Sequence, residues 1–152
     1  MTRIDIARTN KPGYTAVIGM ESYVRQVVEP RLYELIKIRA SILNGCGFCV
    51  DMHATEGARL GIPQRVLHAV AAWQHARNLF EERELAVLAL TDAVTRLGPD
   101  TVTDEIWNAA AEHFDESELG AIVIAISLIN VWNRIAISTE MRPPLDDQHP
   151  LA

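Results

Sequence analysis

Sustained strand-type alternation is missing from this chain, and no internal repeat takes its place. Apolar residues recur instead at three- and four-residue spacing, which disfavours a sheet-built core and predicts an all-α fold. Lys/Arg-rich runs are missing too: 14 basic residues stand against 20 acidic ones, a formal net charge of −6. That balance argues against nucleic acid or an anionic membrane surface as a partner. The first residues, MTRIDIARTNKPGY, hold no apolar stretch of signal-peptide type, so a cytoplasmic protein is expected. Cysteine is scarce. Only Cys46 and Cys49 occur, and at that spacing they read as a redox or metal pair, not as a structural staple.

What is there suits one globular domain. Hydrophobic residues make up 49% and charged residues 22% of 152 positions, a composition that closes a single core without staples. One run, Leu119 to Ile137, has the length of a membrane span. It carries Asn130, Asn133 and Arg134, and a charge near mid-span costs about 2.5–3.5 kcal/mol on insertion scales. A buried helix at the centre of the domain or of an oligomer is expected, and no membrane.

Taken in order, residues 1–13 read as an N-terminal arm, 14–139 as a helical domain and 140–152 as a polar, proline-bearing tail that frays. Within the domain about six to seven helices are expected. The first covers Tyr14 to Val28. Pro30 then opens a second, Arg31 to Leu43, with Leu32, Leu35, Ile36 and Ile38 on one broad apolar face. Asn44-Gly45 ends it. A third runs from about Cys46 to Gly61 and a fourth from Gln64 to Ala76. The fifth spans Glu82 to Leu97, and Thr101 or Thr103 caps a sixth ending near His113. Asp115 and Glu118 form a capping box for the last. Arg39 is out of place near the middle of an apolar arc, which calls for a carboxylate partner or a side chain snorkelling to water.

The chemistry gathers between Glu34 and His53. On a helical wheel Cys46, Cys49 and His53 fall within about 60° of one another, with Gly57 on the same stripe leaving room beside the thiols. A free cysteine titrates near ~8.5, so thiolate at neutral pH needs help. A helix start at Cys46 offers it dipole and unpaired N–H groups. His53, one turn beyond Cys49, offers that sulfur a base. Two candidate nucleophiles therefore stand open. Glu34 either turns inward to His53 or outward to Lys37. The duller account is a pair of small buried hydrophobes. Zinc held by Cys46, Cys49, His53 and Glu34 is the sharper rival, although three ligands from one helix close a tetrahedron poorly. His68, His75, His113 and His149 form no cluster, and Trp73, Trp107 and Trp132 read as packing.

Glu34, eleven residues, Cys46, two residues, Cys49, three residues, His53 is similar to the core motif of the alkylhydroperoxidase AhpD, in the carboxymuconolactone decarboxylase-like superfamily. ELIKIRASILNGCGFCVDMHATEGARLG, FEERELAVLALTDAVT and INVWNRIAI resemble that family from about Tyr14 to Ser138. The resemblance implies an AhpD-like helical bundle assembled as a homotrimer or homohexamer, and a thiol-dependent peroxidase. It implies that Glu34 and His53 relay a proton from Cys49, the peroxidatic thiol. Cys46 would then be the more exposed resolving thiol, meeting a dithiol or lipoyl-type reductant protein. No cofactor and no metal are called for. The best-characterised members carry a second histidine where this chain has Phe48, and the decarboxylase branch lacks the cysteine pair. A protein or lipoyl disulfide reductase and a non-catalytic redox sensor are the alternatives. An intramolecular Cys46–Cys49 disulfide is expected, because the spacing at a helix start brings the sulfurs into bonding range.

Overall fold

Helices occupy most of the positions that the apolar spacing marks out. The structure, a computed structural model, describes residues 2–145, and among them there are eight α-helices and no strand. In chain order these are α1 (Ile6–Thr9), α2 (Lys11–Val27), α3 (Pro30–Asn44), α4 (Gly47–Arg59), α5 (Gln64–Ala69), α6 (Glu82–Thr95), α7 (Asp104–Ala111) and α8 (Glu116–Ser138). Short 3-10 turns at Val70–His75 and Arg77–Leu79 join α5 to α6.

Residues 1–13, read as an arm, contain α1, and α2 starts at Lys11, three residues ahead of Tyr14. The Arg3 N–H donates to the Thr139 carbonyl at 2.8 Å and its guanidinium to Glu140 at 2.9 Å, tying this end to the end of α8. Beyond Val24, α2 buries nothing fully, leaving Ile18, Met20, Tyr23 and Val27 exposed.

α3 is the axis of the fold. Glu29 caps its first turn, Pro30 sits where a missing N–H is no loss, and Gly45 ends it at a φ of 72°, in the left-handed region. A single apolar face was expected here, but every residue from Leu32 to Ser41 is buried, because α4, α6 and α8 pack around the helix. Such enclosure forces the polar residues of α3 to find partners inside. Arg39 does so with Asp92 of α6: Nε donates at 2.5 Å and Nη2 at 2.8 Å. Its other nitrogen takes the carbonyls of Val70 and Ala71, which removes acceptors a longer α5 would need. The fourth helix accordingly stops at Ala69 instead of Ala76, and Ala72 leaves helical geometry.

α6 starts with a Glu81–Glu84 capping box and ends two residues before Leu97. Thr103, not Thr101, caps α7, and the Asp115–Glu118 capping box opens α8 as expected. By length and composition α8 would cross a membrane, but half of its apolar window lies inside the fold, packed on α2, α3 and α6. Its Ile122, Ile126 and Ile129 meet Leu32, Ile36 and Leu90 in the larger core. Full burial of each such side chain contributes about 1.5–3 kcal/mol. A second core joins Leu35, Ile38 and Leu88 to α5 and Trp73. Of the tail read as frayed, residues 146–152 lie outside the described residues.

Candidate active site

The site is built at the turn between α3 and α4. Gly45 reverses the chain, and the Cys46 N–H donates to the Ser41 carbonyl at 2.9 Å. Cys46 is the N-cap of α4, its sulfur accepting the Cys49 N–H at 3.3 Å. A network of side-chain amides pins this turn onto α8. Asn44 donates to Asn130 at 2.9 Å and to Asn133 at 2.8 Å, and Asn133 donates to Ser41 at 2.9 Å. The asparagines that interrupt the apolar run of α8 thus hold the cysteine turn in place.

Cys46 and Cys49 are joined as a disulfide, their Cα atoms 5.3 Å apart. Both residues are 2% exposed, so the expectation of a more exposed Cys46 is corrected. Phe48 and Ala136 pack with the pair, and Met52 and Met141 pack against this cluster. Gly57 is corrected too. Where it was expected to leave room beside the thiols, a Cβ there would meet Leu67 at 2.9 Å, because α4 lies against α5 at that level.

His53 follows one turn after Cys49, buried, with Nδ1 3.4 Å from Glu34 Oε2. That is long for a hydrogen bond. The other oxygen, Oε1, lies 2.7 Å from Lys37 Nζ. Glu34 therefore makes both contacts between which the sequence left a choice, and the contact to Lys37 is interior. Lys37 is 1% exposed and its ammonium stands 4.1 Å from the centre of the Tyr33 ring. Neither its burial nor its place beside His53 was foreseen, although its position one turn after Glu34 is readable.

Electrostatics follow from burial and these neighbours. Burial pushes His53 below its usual range, and Lys37 adds to that, against the pull of Glu34; the imidazole rests neutral. Burial alone would raise Glu34, but the His53 ring and the Lys37 ammonium outweigh it, and the carboxyl ends below its usual range. Lys37 is lowered by burial, with Glu34 opposing.

A cavity of about 320 Å³ reaches this group from between α2, α4 and α8. Tyr14, Ile18, Phe48, Met52, Trp132 and Ile135 make its walls apolar, with Glu21, Arg25 and Glu56 among its polar lining. Cys49 and His53 line it, whereas Cys46 and Glu34 do not. Trp132, read as packing, also donates to Glu21 at 3.3 Å, and Tyr33 donates to the same carboxylate at 2.8 Å. His68, His75 and His113 are exposed, and His149 lies outside the described residues. No group of three or more metal-ligating side chains is placed to hold an ion among the described residues.

Residues 13–93, a span holding all four motif residues, match the Carboxymuconolactone decarboxylase family. The chain belongs to that family. Within the carboxymuconolactone decarboxylase family it is AhpD-like. The uncharacterized protein YdfG of Bacillus subtilis (strain 168) is 35% identical over 127 residues, 83% of this chain and 86% of its own length. A solved Agrobacterium tumefaciens protein of unknown function, described as a candidate antioxidant defence protein AhpD, superposes with a TM-score of 0.92. Its identity is 36%, over 96% of this chain and 100% of that one. The debrominase Bmp8 shares the fold at a TM-score of 0.79 and 19% identity, over 90% of this chain and 73% of its own.

Proposed function

We propose that this carboxymuconolactone decarboxylase family member is a thiol-dependent alkyl hydroperoxide reductase that serves antioxidant defence. One observation carries the reading: Cys49 and the base His53 line the same apolar cavity, with the Glu34 carboxylate 3.4 Å behind the imidazole. In the reduced enzyme His53 takes the proton of Cys49. The thiolate attacks the distal peroxide oxygen, the O–O bond breaks, and the alkoxide leaves as alcohol with the proton held on His53. Cys49 is then a sulfenic acid. The Cys46 thiol attacks its sulfur, water leaves, and the Cys46–Cys49 disulfide forms. A dithiol restores the thiols by exchange.

The cavity also bears on the partner. A narrow lipoyl-type dithiol arm suits a pair reached through this cavity better than a protein disulfide surface does, since both cysteines are only 2% exposed. The cytoplasm, where dithiols stay reduced, suits such a cycle. Exposed Ile18, Met20, Tyr23 and Val27 on α2, with Ile124, Val131 and Ile137 on α8, support self-association, for which the family resemblance suggests a homotrimer or homohexamer.

The test is organic hydroperoxide consumption with a panel of dithiol donors, on the wild type and on Cys49→Ser. Multiple turnover by the wild type, lost by at least ~10²-fold in the variant, is expected. Oxidation of one equivalent without turnover, whichever dithiol is supplied, would replace the enzyme reading with a redox sensor. Disulfide reduction without peroxide turnover would make it a disulfide reductase.

A further inference from the structure

The Glu34–His53 pair has a third buried member that the thiol chemistry does not itself use. Lys37 lies one turn after Glu34 on α3 and is 1% exposed, though an uncharged side chain would fill that space at no electrostatic cost. Its Nζ is 2.7 Å from Glu34 Oε1, while Glu34 Oε2 faces His53 Nδ1 at 3.4 Å. The carboxylate is thus held between a cation and an imidazole, and it cannot swing from one without leaving the other. We propose that Lys37 is a positioning residue for the thiol-activating base, its ammonium anchoring Glu34 toward His53 while keeping that carboxylate's charge from loading His53 with a proton. The inference rests on the reading that His53 accepts the Cys49 proton.

The physics is a matter of charge count. A buried imidazole with only a carboxylate beside it is drawn toward imidazolium, a base already occupied at neutral pH. With Lys37 present the Glu34 charge is already answered, and His53 stays free to accept. Of the surrounding groups, Glu21 also favours a protonated His53, but less than Glu34 does. From α3, Tyr33 presents its ring to the ammonium. From α2, Glu21 and Arg25 are paired with each other at 2.9 Å. From α4, Glu56 lines a small neighbouring cavity together with Glu34 and lies 3.6 Å from Arg59. From α6, Glu84 and Asp92 are taken by Arg31 and Arg39. α8 contributes Trp132, whose indole N–H goes to Glu21.

The His53 ring titration, followed by NMR in the oxidised protein, tests this without any need for turnover. Lys37→Met should raise the His53 midpoint by about one pH unit or more. The pH profile of Cys49 alkylation in the reduced protein should move with it. A rise clearly short of about one unit overturns the proposal, since a charge this close shifts a buried group by about 1–3 pH units. Should Lys37→Met fail to fold, Lys37→Gln removes the same charge while keeping a donor beside Glu34, and the same rise in the His53 midpoint is required of it. A shifted titration in a protein that turns over no peroxide would leave Lys37 its role and remove the peroxidase reading.

Discussion

Asp92→Ala is the substitution whose cost the structure determines most directly. Arg39 is 4% exposed, and the Asp92 carboxylate accepts from its Nε and Nη2. It also accepts from the Trp73 indole at 3.3 Å and from Gln74 at 3.0 Å. Removing the carboxylate leaves a guanidinium inside the fold with only the Val70 and Ala71 carbonyls for company. Breaking a buried pair from one side costs about 3–5 kcal/mol. Set against a typical total of about 5–15 kcal/mol, that is a large share of the stability. For a chain of this length it lowers Tm by roughly 6–20 °C. Arg39→Met/Asp92→Leu, which removes both charges and keeps volume, should recover to within about 1–2 kcal/mol of wild type. Urea unfolding of the oxidised protein measures all three, with an unchanged m-value showing that only stability has moved. The argument fails if Asp92→Ala lies within about 1 kcal/mol of wild type, or if the double variant is as unstable as the single one.

Stability should also fall on acidification. Because burial holds His53 below the 6.5 of a free imidazole, the unfolded chain takes up that proton first; stability is full above this pH and is lost as pH falls through the folded value. His53→Asn should flatten the urea-midpoint profile below about pH 6.5, and an equally steep profile would refute the assignment. Ile135→Trp should obstruct the cavity, cutting kcat/KM for cumene hydroperoxide at least about tenfold while hydrogen peroxide suffers less, a comparison read by stopped-flow oxidation. Mild peroxide on the reduced protein should remove two hydrogens by mass spectrometry, whereas Cys46→Ser should stop at a sulfenic acid on Cys49; overoxidised Cys49 in the wild type would count against Cys46 as its resolving thiol. Light scattering should give a multiple of the subunit mass, and Tyr23→Glu with Val131→Glu should reduce it toward the monomer.

Much of this molecule was determined locally and is therefore readable in the sequence. A helix closes its hydrogen bonds within four residues and its caps within three, so Pro30, Gly45, and the Asp115–Glu118 box mark ends that the structure keeps. The spacing from Glu34 through Cys46 and Cys49 to His53 likewise marks out the candidate site, because the N-cap and first turns of α4 set the thiols and the imidazole on one face. The oddity of Arg39 was visible too, but not its answer, since Asp92 stands 53 residues away on another helix.

Enclosure is what only the tertiary structure decided. Whether α3 shows one face or all of itself to the interior depends on where α4, α6 and α8 come to rest, and no periodicity within α3 records that. The same enclosure turns Lys37 from a candidate surface partner of Glu34 into a buried one. It covers Cys46 with Ala136 and Met141, residues some ninety positions on, and leaves Cys49 lining a cavity whose far wall is α8. The residue types are local information; the dielectric around them, and hence which of their charges survive, belongs to the assembled fold.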